Sequence, residues 1–208
     1  MTRISVYNDD LPDDVLFKES VAIDTEAMGL INHRDRLCVV QLCDKKGNVH
    51  LVKFKDDYSA PNLKRLLEDQ NIVKIFHFAR FDIAILRYYL KVWTFPCYCT
   101  KIASRLVRTY TDNHGLKELC NELLGVRLNK QQQSSDWGKD ELTEDQLNYA
   151  ANDVLYLHKI KDRLDSMLER ENRKKLALDC FEFLKTRIEL DLLGWENVDI
   201  FSHQTKTI

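Results

Sequence analysis

Glycine and proline are scarce in this chain, six and three among 208 residues. No Ser/Gly/Pro-rich stretch reads as a linker between folding units, and no internal repeat or low-complexity tract is present. Nowhere do about eighteen apolar residues run together, which excludes a transmembrane helix. The first twenty residues, MTRISVYNDDLPDDVLFKES, are polar and acidic and hold no apolar stretch that a secretory signal would need. Zinc-type cysteine spacing is also missing. Of six cysteines, Cys38 and Cys43 lie five apart in LCVVQLC, on opposite faces of a strand. Cys97 and Cys99 share a face, but no second pair follows them. The expectation is a soluble cytoplasmic protein with reduced, mostly buried thiols, its residues 1–208 forming one domain around one sizeable core.

Strong charge of one sign is lacking too. The net charge is −2. Residues 72–140 carry eleven basic and six acidic side chains, between segments that are mildly acidic. Such a middle suits a short phosphate-bearing substrate and is too weak for a long duplex footprint.

The chain does contain short β-branched apolar runs. Val21–Ile23, Leu37–Cys43 and Val49–Phe54 read as three consecutive strands, with a hairpin at Gly47 between the last two. Pro61–Glu68 reads as a helix, Ile72–Phe76 as a buried strand and Cys97–Thr100 as a short fifth strand. A further helix is expected from Phe81, where Phe81, Ile85, Leu86 and Tyr89 have helical spacing. Thr143 with Gln146 fits a capping box, and Leu142 with Leu147 fits the accompanying hydrophobic staple, so a helix should begin there. It is expected to continue to about Glu169, followed by another from about Arg173 to Leu193, ended by Gly194. This order predicts an α/β fold with a mixed central sheet flanked by helices, a catalytic core over about 20–160 and a helical C-terminal extension over about 161–208.

Five side chains carry the chemistry. Asp24 and Glu26 stand two apart behind an apolar run, so on a strand both leave the same face. Asp82 falls in the first turn of its helix, and Tyr149 and Asp153, four apart, share a helical face. Carboxylates are hard ligands suited to magnesium or manganese rather than zinc. Hydrolysis of a phosphodiester is well served by two divalent cations about 3.5–4 Å apart, held by several carboxylates. Asp24 is best placed to bridge two ions, Glu26 and Asp153 to complete the site nearer the attacking water, and Asp82 to hold the second ion directly or through water. Tyr149 would orient the water; its ordinary pKa of about 10 makes it a poor base.

With their flanking sequences these segments resemble the DEDD superfamily of 3′–5′ exonucleases, in its tyrosine branch, and ribonuclease D-like proteins in particular. Asp24-Thr25-Glu26 is similar to the first exonuclease motif, His77 to Asp82 to the second, and Tyr149 to Asp153 to the third. Ser135-Asp136-Trp137 followed by Leu142 to Leu147 also resembles the ribonuclease D approach to the third motif. The resemblance implies a ribonuclease H-like fold and release of nucleoside 5′-monophosphates from a 3′ end. Ribonuclease D proper carries extra helical domains, and the expectation from the resemblance is a shorter relative without them.

The Gly-Leu directly after the first motif resembles the segment by which oligoribonucleases wedge a leucine between two bases. Together with KQQQSSDW and LDLLGW it is similar to the nanoRNase C group of short-chain ribonuclease D relatives. That resemblance implies a ring-forming homo-oligomer, on the scale of an octamer, acting on very short RNAs and above all on dinucleotides. It places Met28, Gly29 and Leu30 at the substrate, with Leu30 as the base wedge; a leucine merely packed at the strand end is the plainer alternative. His77, Arg80, Arg105, Arg108, Lys130 and Gln133 are candidate phosphate or sugar contacts. A broader nuclease trimming longer RNA or DNA ends, and an inactive nucleic-acid-binding module, are the competing readings. The apolar C-terminal stretch from Phe181 to Phe201 is expected either to close the core or to form a subunit interface.

Overall fold

A computed structural model describes residues 3–128 and 135–203. Lys130 and Gln133 lie outside the described residues. Six strands form one sheet in the order β1-β4-β3-β2-β5-β6. At its centre β3 (Leu37–Cys43) runs antiparallel to both β2 (Ser20–Ala27) and β4 (Val49–Lys53), with Asp24 opposite Gln41 and Glu26 opposite Val39. On the flanks β1 (Ile4–Asn8) pairs parallel to β4, β5 (Val73–Phe76) parallel to β2, and β6 (Cys97–Cys99) parallel to β5. All seven residues of β3 are buried, so both faces of the sheet are covered there. The expected mixed α/β sheet with flanking helices, of the ribonuclease H-like kind, is present.

The predicted hairpin turns at Gly47, whose φ of 89° suits a residue without Cβ. Helix α1 spans Pro61–Glu68 as expected, and α2 spans Ala79–Leu90, two residues ahead of the predicted start. Helices α3 (Thr100–Val107) and α4 (Leu116–Leu124) follow β6. The capping box forms at the start of α5 (Glu144–Leu155): the Thr143 hydroxyl accepts from Gln146 N–H, and the Gln146 side chain accepts from Thr143 N–H. Leu142 and Leu147 both pack against the core.

Three expectations need correction. The expected strands begin at Val21, yet Ile4–Asn8 is the edge strand β1. Its partner Val49–Lys53 is remote in sequence, so no local pattern announces the pairing. The long helix to Glu169 is two helices, broken at Tyr156, with α6 over Leu157–Arg170. The last helix, α7 (Lys174–Leu190), stops three residues early and passes into a wider turn at Asp191–Trp195, where Gly194 takes φ 97°. Arg80 and Arg187 both grip Asp191 at that point, which fixes where the helix gives way. Every cysteine is reduced, and all but Cys180 are buried.

Candidate active site

The strand alternation of β2 sorts its residues by face. Asp24 and Glu26 leave one side half-buried, while Thr25 between them is buried and donates its hydroxyl to Asp82 Oδ1 at 2.8 Å. A register shift after Glu26 ends the regular pairing with β3 there. Asp82 reaches the same place because β5 turns straight into α2. Phe78, at the turn, adopts the left-handed conformation (φ 76°), and the helix starts at the next residue. Asp153 arrives from α5, one turn below Tyr149. Oxygens of Asp24, Glu26 and Asp153 lie within 4.8 Å of one another, a spread that one divalent cation can bridge.

These carboxyls raise one another's proton affinity. Burial is the main cause for Asp24, with the charges of Asp82, Asp153 and Glu26 adding to it, and its carboxyl stands well above the usual range. Glu26 is pushed up to about 9, first by burial and then by Asp153 and Asp82. Asp82 is pushed up to about 7 by burial, against the lowering effect of its hydrogen bonds, with Asp153 adding to the rise. A bound cation would favour their ionised forms, and an all-oxygen donor set fits magnesium or manganese. Tyr149 is also pushed upward by burial and by Asp153, so its phenol keeps its proton.

The approach to α5 has a physical explanation. The capping residue Gln146 uses its amide nitrogen to hold Ser135 Oγ at 3.1 Å and the Asp136 carbonyl at 3.0 Å. This ties down the segment that lays the buried Trp137 against the Tyr149 ring, centroids 6.1 Å apart. One residue thus caps the helix and sets the wall beside its tyrosine.

Asp24, Glu26 and Asp153 line a cavity of about 700 Å³, while Asp82 is buried and outside its lining. Met28, Gly29, Leu30 and His77 line it, as does Phe81. His77 Nδ1 lies 2.9 Å from the Thr100 hydroxyl, whose single hydrogen goes to the Phe76 carbonyl. His77 therefore donates from Nδ1 to that hydroxyl. Sequence reasoning did not single out Gly115, Lys117 and Asn152, which also face the cavity. Asn152 stood inside the third motif; Gly115 and Lys117 come from the start of α4 and had no signal of their own.

None of the three described candidate arginines lines this cavity, although Arg80 borders the neighbouring one of about 510 Å³. Arg80 forms a bidentate pair with Asp191 (2.5 and 2.7 Å) and donates to the Glu196 carbonyl, so it holds the C-terminal turn. Arg105 is exposed along an apolar groove between α3 and α7, outside the catalytic cavity. Arg108 is fully buried against Glu122, Ser104 and the Asn113 carbonyl.

An acidic cluster of this kind beside a mixed sheet suits a nuclease of the carboxylate-dependent type. The family model described as 3′-5′ exonuclease matches residues 8–169, and the chain belongs to that family. Within it, the chain is similar to Brucella melitensis NrnC (nanoRNase C). The structure of that protein bound to pGG is 51% identical, with a TM-score of 0.95 over 98% of this chain and 100% of that one. Its structure with bound Mg2+ is likewise 51% identical, with a TM-score of 0.93 over 97% and 100%. Ribonuclease D of Gluconacetobacter diazotrophicus is 33% identical over 153 residues, 74% of this chain and 39% of that protein. The chain thus spans about two-fifths of the length of the curated ribonuclease D relatives it matches.

Proposed function

We propose that this protein is a metal-dependent 3′–5′ exoribonuclease that hydrolyses very short RNAs, dinucleotides above all, to nucleoside 5′-monophosphates. The observation that carries the short-substrate reading is the position of Leu30. Its side chain, 82% exposed, borders both the cavity above the carboxylates and a second one of about 510 Å³, and Phe81 is shared in the same way. Two neighbouring hollows divided by a leucine and an aromatic ring suit two nucleosides with their bases splayed apart. Similarity to a protein whose structure holds pGG supports the same reading.

Asp24, Glu26, Asp82 and Asp153 would hold two divalent cations, Mg2+ or Mn2+, with Asp24 shared between them. When bound, such ions polarise the scissile phosphate, make water a better nucleophile and stabilise the leaving oxygen. Tyr149, protonated throughout, donates a hydrogen bond that orients the attacking water. Trp137 keeps the tyrosine ring in place. His77 and Lys117 present polar groups toward the phosphate, and Met28 and Gly29 shape the wall beside it.

We also propose that the chain assembles into a closed homo-oligomeric ring. Phe181, Leu184 and Ile188 close the core, but Leu193, Trp195 and Phe201 remain 72%, 46% and 75% exposed. Apolar surface of this size on consecutive turns is a contact surface for a partner. Among the described residues no helix is long and apolar enough to cross a membrane.

The test is a time course on 5′-labelled RNAs of two to seven nucleotides with magnesium, manganese or EDTA. Loss of one 3′ nucleotide at a time, fastest for the dinucleotide and abolished by EDTA, is the expected result. A rate independent of length would overturn the short-substrate reading, and turnover in EDTA would overturn the metal-dependent one.

A further inference from the structure

The connection between β2 and β3 is a closed loop built around one carboxylate. Met28 N–H donates to the Arg36 carbonyl at 3.0 Å, which shuts the loop at its base. Within it, the N–H groups of Arg34 and Asp35 both donate to the Ile31 carbonyl, at 2.9 and 2.8 Å, giving one helical turn. Residues 30, 31, 33 and 34 are exposed, yet Asp35 is only 8% exposed. Its carboxylate turns inward and accepts the Ile31 N–H at 3.0 Å, and the Leu30 N–H also serves it. The Arg34 guanidinium closes the outer side, with Nε 2.7 Å from Oδ1 and Nη2 2.9 Å from Oδ2. Fully engaged in this way, the carboxyl is held down at about 2, chiefly by Arg34 and the Ile31 N–H, and is ionised at any working pH.

Gly29 has no unusual backbone angle to explain it. The explanation is space: a Cβ there would sit 2.3 Å from Asp35 Oδ2. The Gly-Leu pair therefore divides its work. The glycine admits the carboxylate, and the carboxylate ties the backbone on either side of Leu30. An exposed leucine on an untethered loop would spread over many positions, and each would have to be given up on binding.

We propose that Asp35 is a positioning residue that fixes Leu30 as a rigid divider between the two cavities, and that residue 29 is glycine in order to seat the Asp35 carboxylate. This rests on the reading of Leu30 under Proposed function. Rigidity in the free protein lowers the ordering cost of substrate capture, so its loss falls on KM more than on kcat.

The experiment compares Asp35→Asn, Gly29→Ala, Leu30→Ala and the double variant Leu30→Ala/Asp35→Asn. Asparagine keeps the shape but turns one oxygen into a donor facing backbone N–H groups. Hydrogen exchange measured by mass spectrometry on peptides covering residues 28–36 is expected to speed up in Asp35→Asn and in Gly29→Ala, with exchange elsewhere unchanged. KM for a labelled dinucleotide is expected to rise about tenfold in each, as it does in Leu30→Ala, from weakened burial of one leucine. The kcat should stay within about twofold. In the double variant KM should be no higher than in Leu30→Ala alone, because Asp35 acts only through Leu30. Unchanged exchange in this loop, or additive KM effects, overturns the proposal. If Leu30→Ala itself leaves KM unchanged, the short-substrate reading falls instead, and the exchange result still decides whether Asp35 holds the loop.

Discussion

Two groups of charged side chains in this molecule are built on opposite principles. At and beneath the cavity floor, Asp24, Glu26, Asp82 and Asp153 interact electrostatically, and burial and mutual repulsion push the first three upward with no cationic side chain among the causes. Around α3 and α4, the buried Arg108 meets Glu122, Ser104 and a backbone carbonyl, and Glu122 is held below its ordinary range by that arginine. The first cluster is destabilising until something positive binds, and the second is satisfied already. Like charges left together mark a binding site, whereas opposite charges paired off mark scaffold. The same contrast separates Arg80, paired with Asp191, from His77, which lines the cavity.

The comparison breaks most sharply at Asp24. Asp24→Asn should lower kcat by at least about a thousandfold, since the cation-holding set loses its shared member. In EDTA the same variant should melt higher than the parent, because one repelling carboxylate is gone. A variant that keeps its turnover, or melts lower in EDTA, would contradict the account of the floor. Arg108→Ala should behave in the reverse sense. Loss of its charged hydrogen bonds costs about 2–3 kcal/mol of stability, while dinucleotide turnover measured well below the melting point stays near the parent value. A selective loss of activity there would return Arg108 to the substrate.

The floor also predicts a pH dependence of stability. Glu26 goes from an ordinary 4.5 to about 9 on folding, and Asp82 from 3.8 to about 7. Between the unfolded and folded values the native state holds more protons than the unfolded chain, so stability falls as pH rises. Thermal melts in EDTA should therefore drop in Tm from pH 5 to pH 8, and saturating magnesium or manganese should flatten that slope. A Tm that rises over the range without metal would refute it. The smallest effect is expected at Thr25. Thr25→Val removes the hydroxyl that steadies Asp82 and should lower kcat about tenfold through one lost charged hydrogen bond, whereas Thr25→Ser should restore it. Equal rates for the two variants would remove Thr25 from the argument.

What could be read from sequence followed from periodicity. A strand repeats every two residues and a helix every 3.6, so DTE and YAAND declare which side chains share a face before any fold is known. The capping box at Thr143 and Gln146 located the start of α5 for the same local reason. Basic residues carry no such signal. Arg80, Arg105 and Arg108 were candidates because a phosphate needs a cation, but a carboxylate far away in sequence can claim it first, as Asp191 and Glu122 do. Asp35 was passed over because its importance is the space under Gly29, a contact no spacing rule reveals.

Local order in the chain thus determined the elements, their facing residues and the hard-oxygen chemistry of the carboxylates, since each depends on neighbours a few positions apart. Only the tertiary structure decided that β1 joins the sheet edge, that Arg80 and Arg108 are held in ion pairs, and that Leu30 stands between two hollows. Those outcomes depend on which distant groups come within a few ångströms, and packing alone settles that.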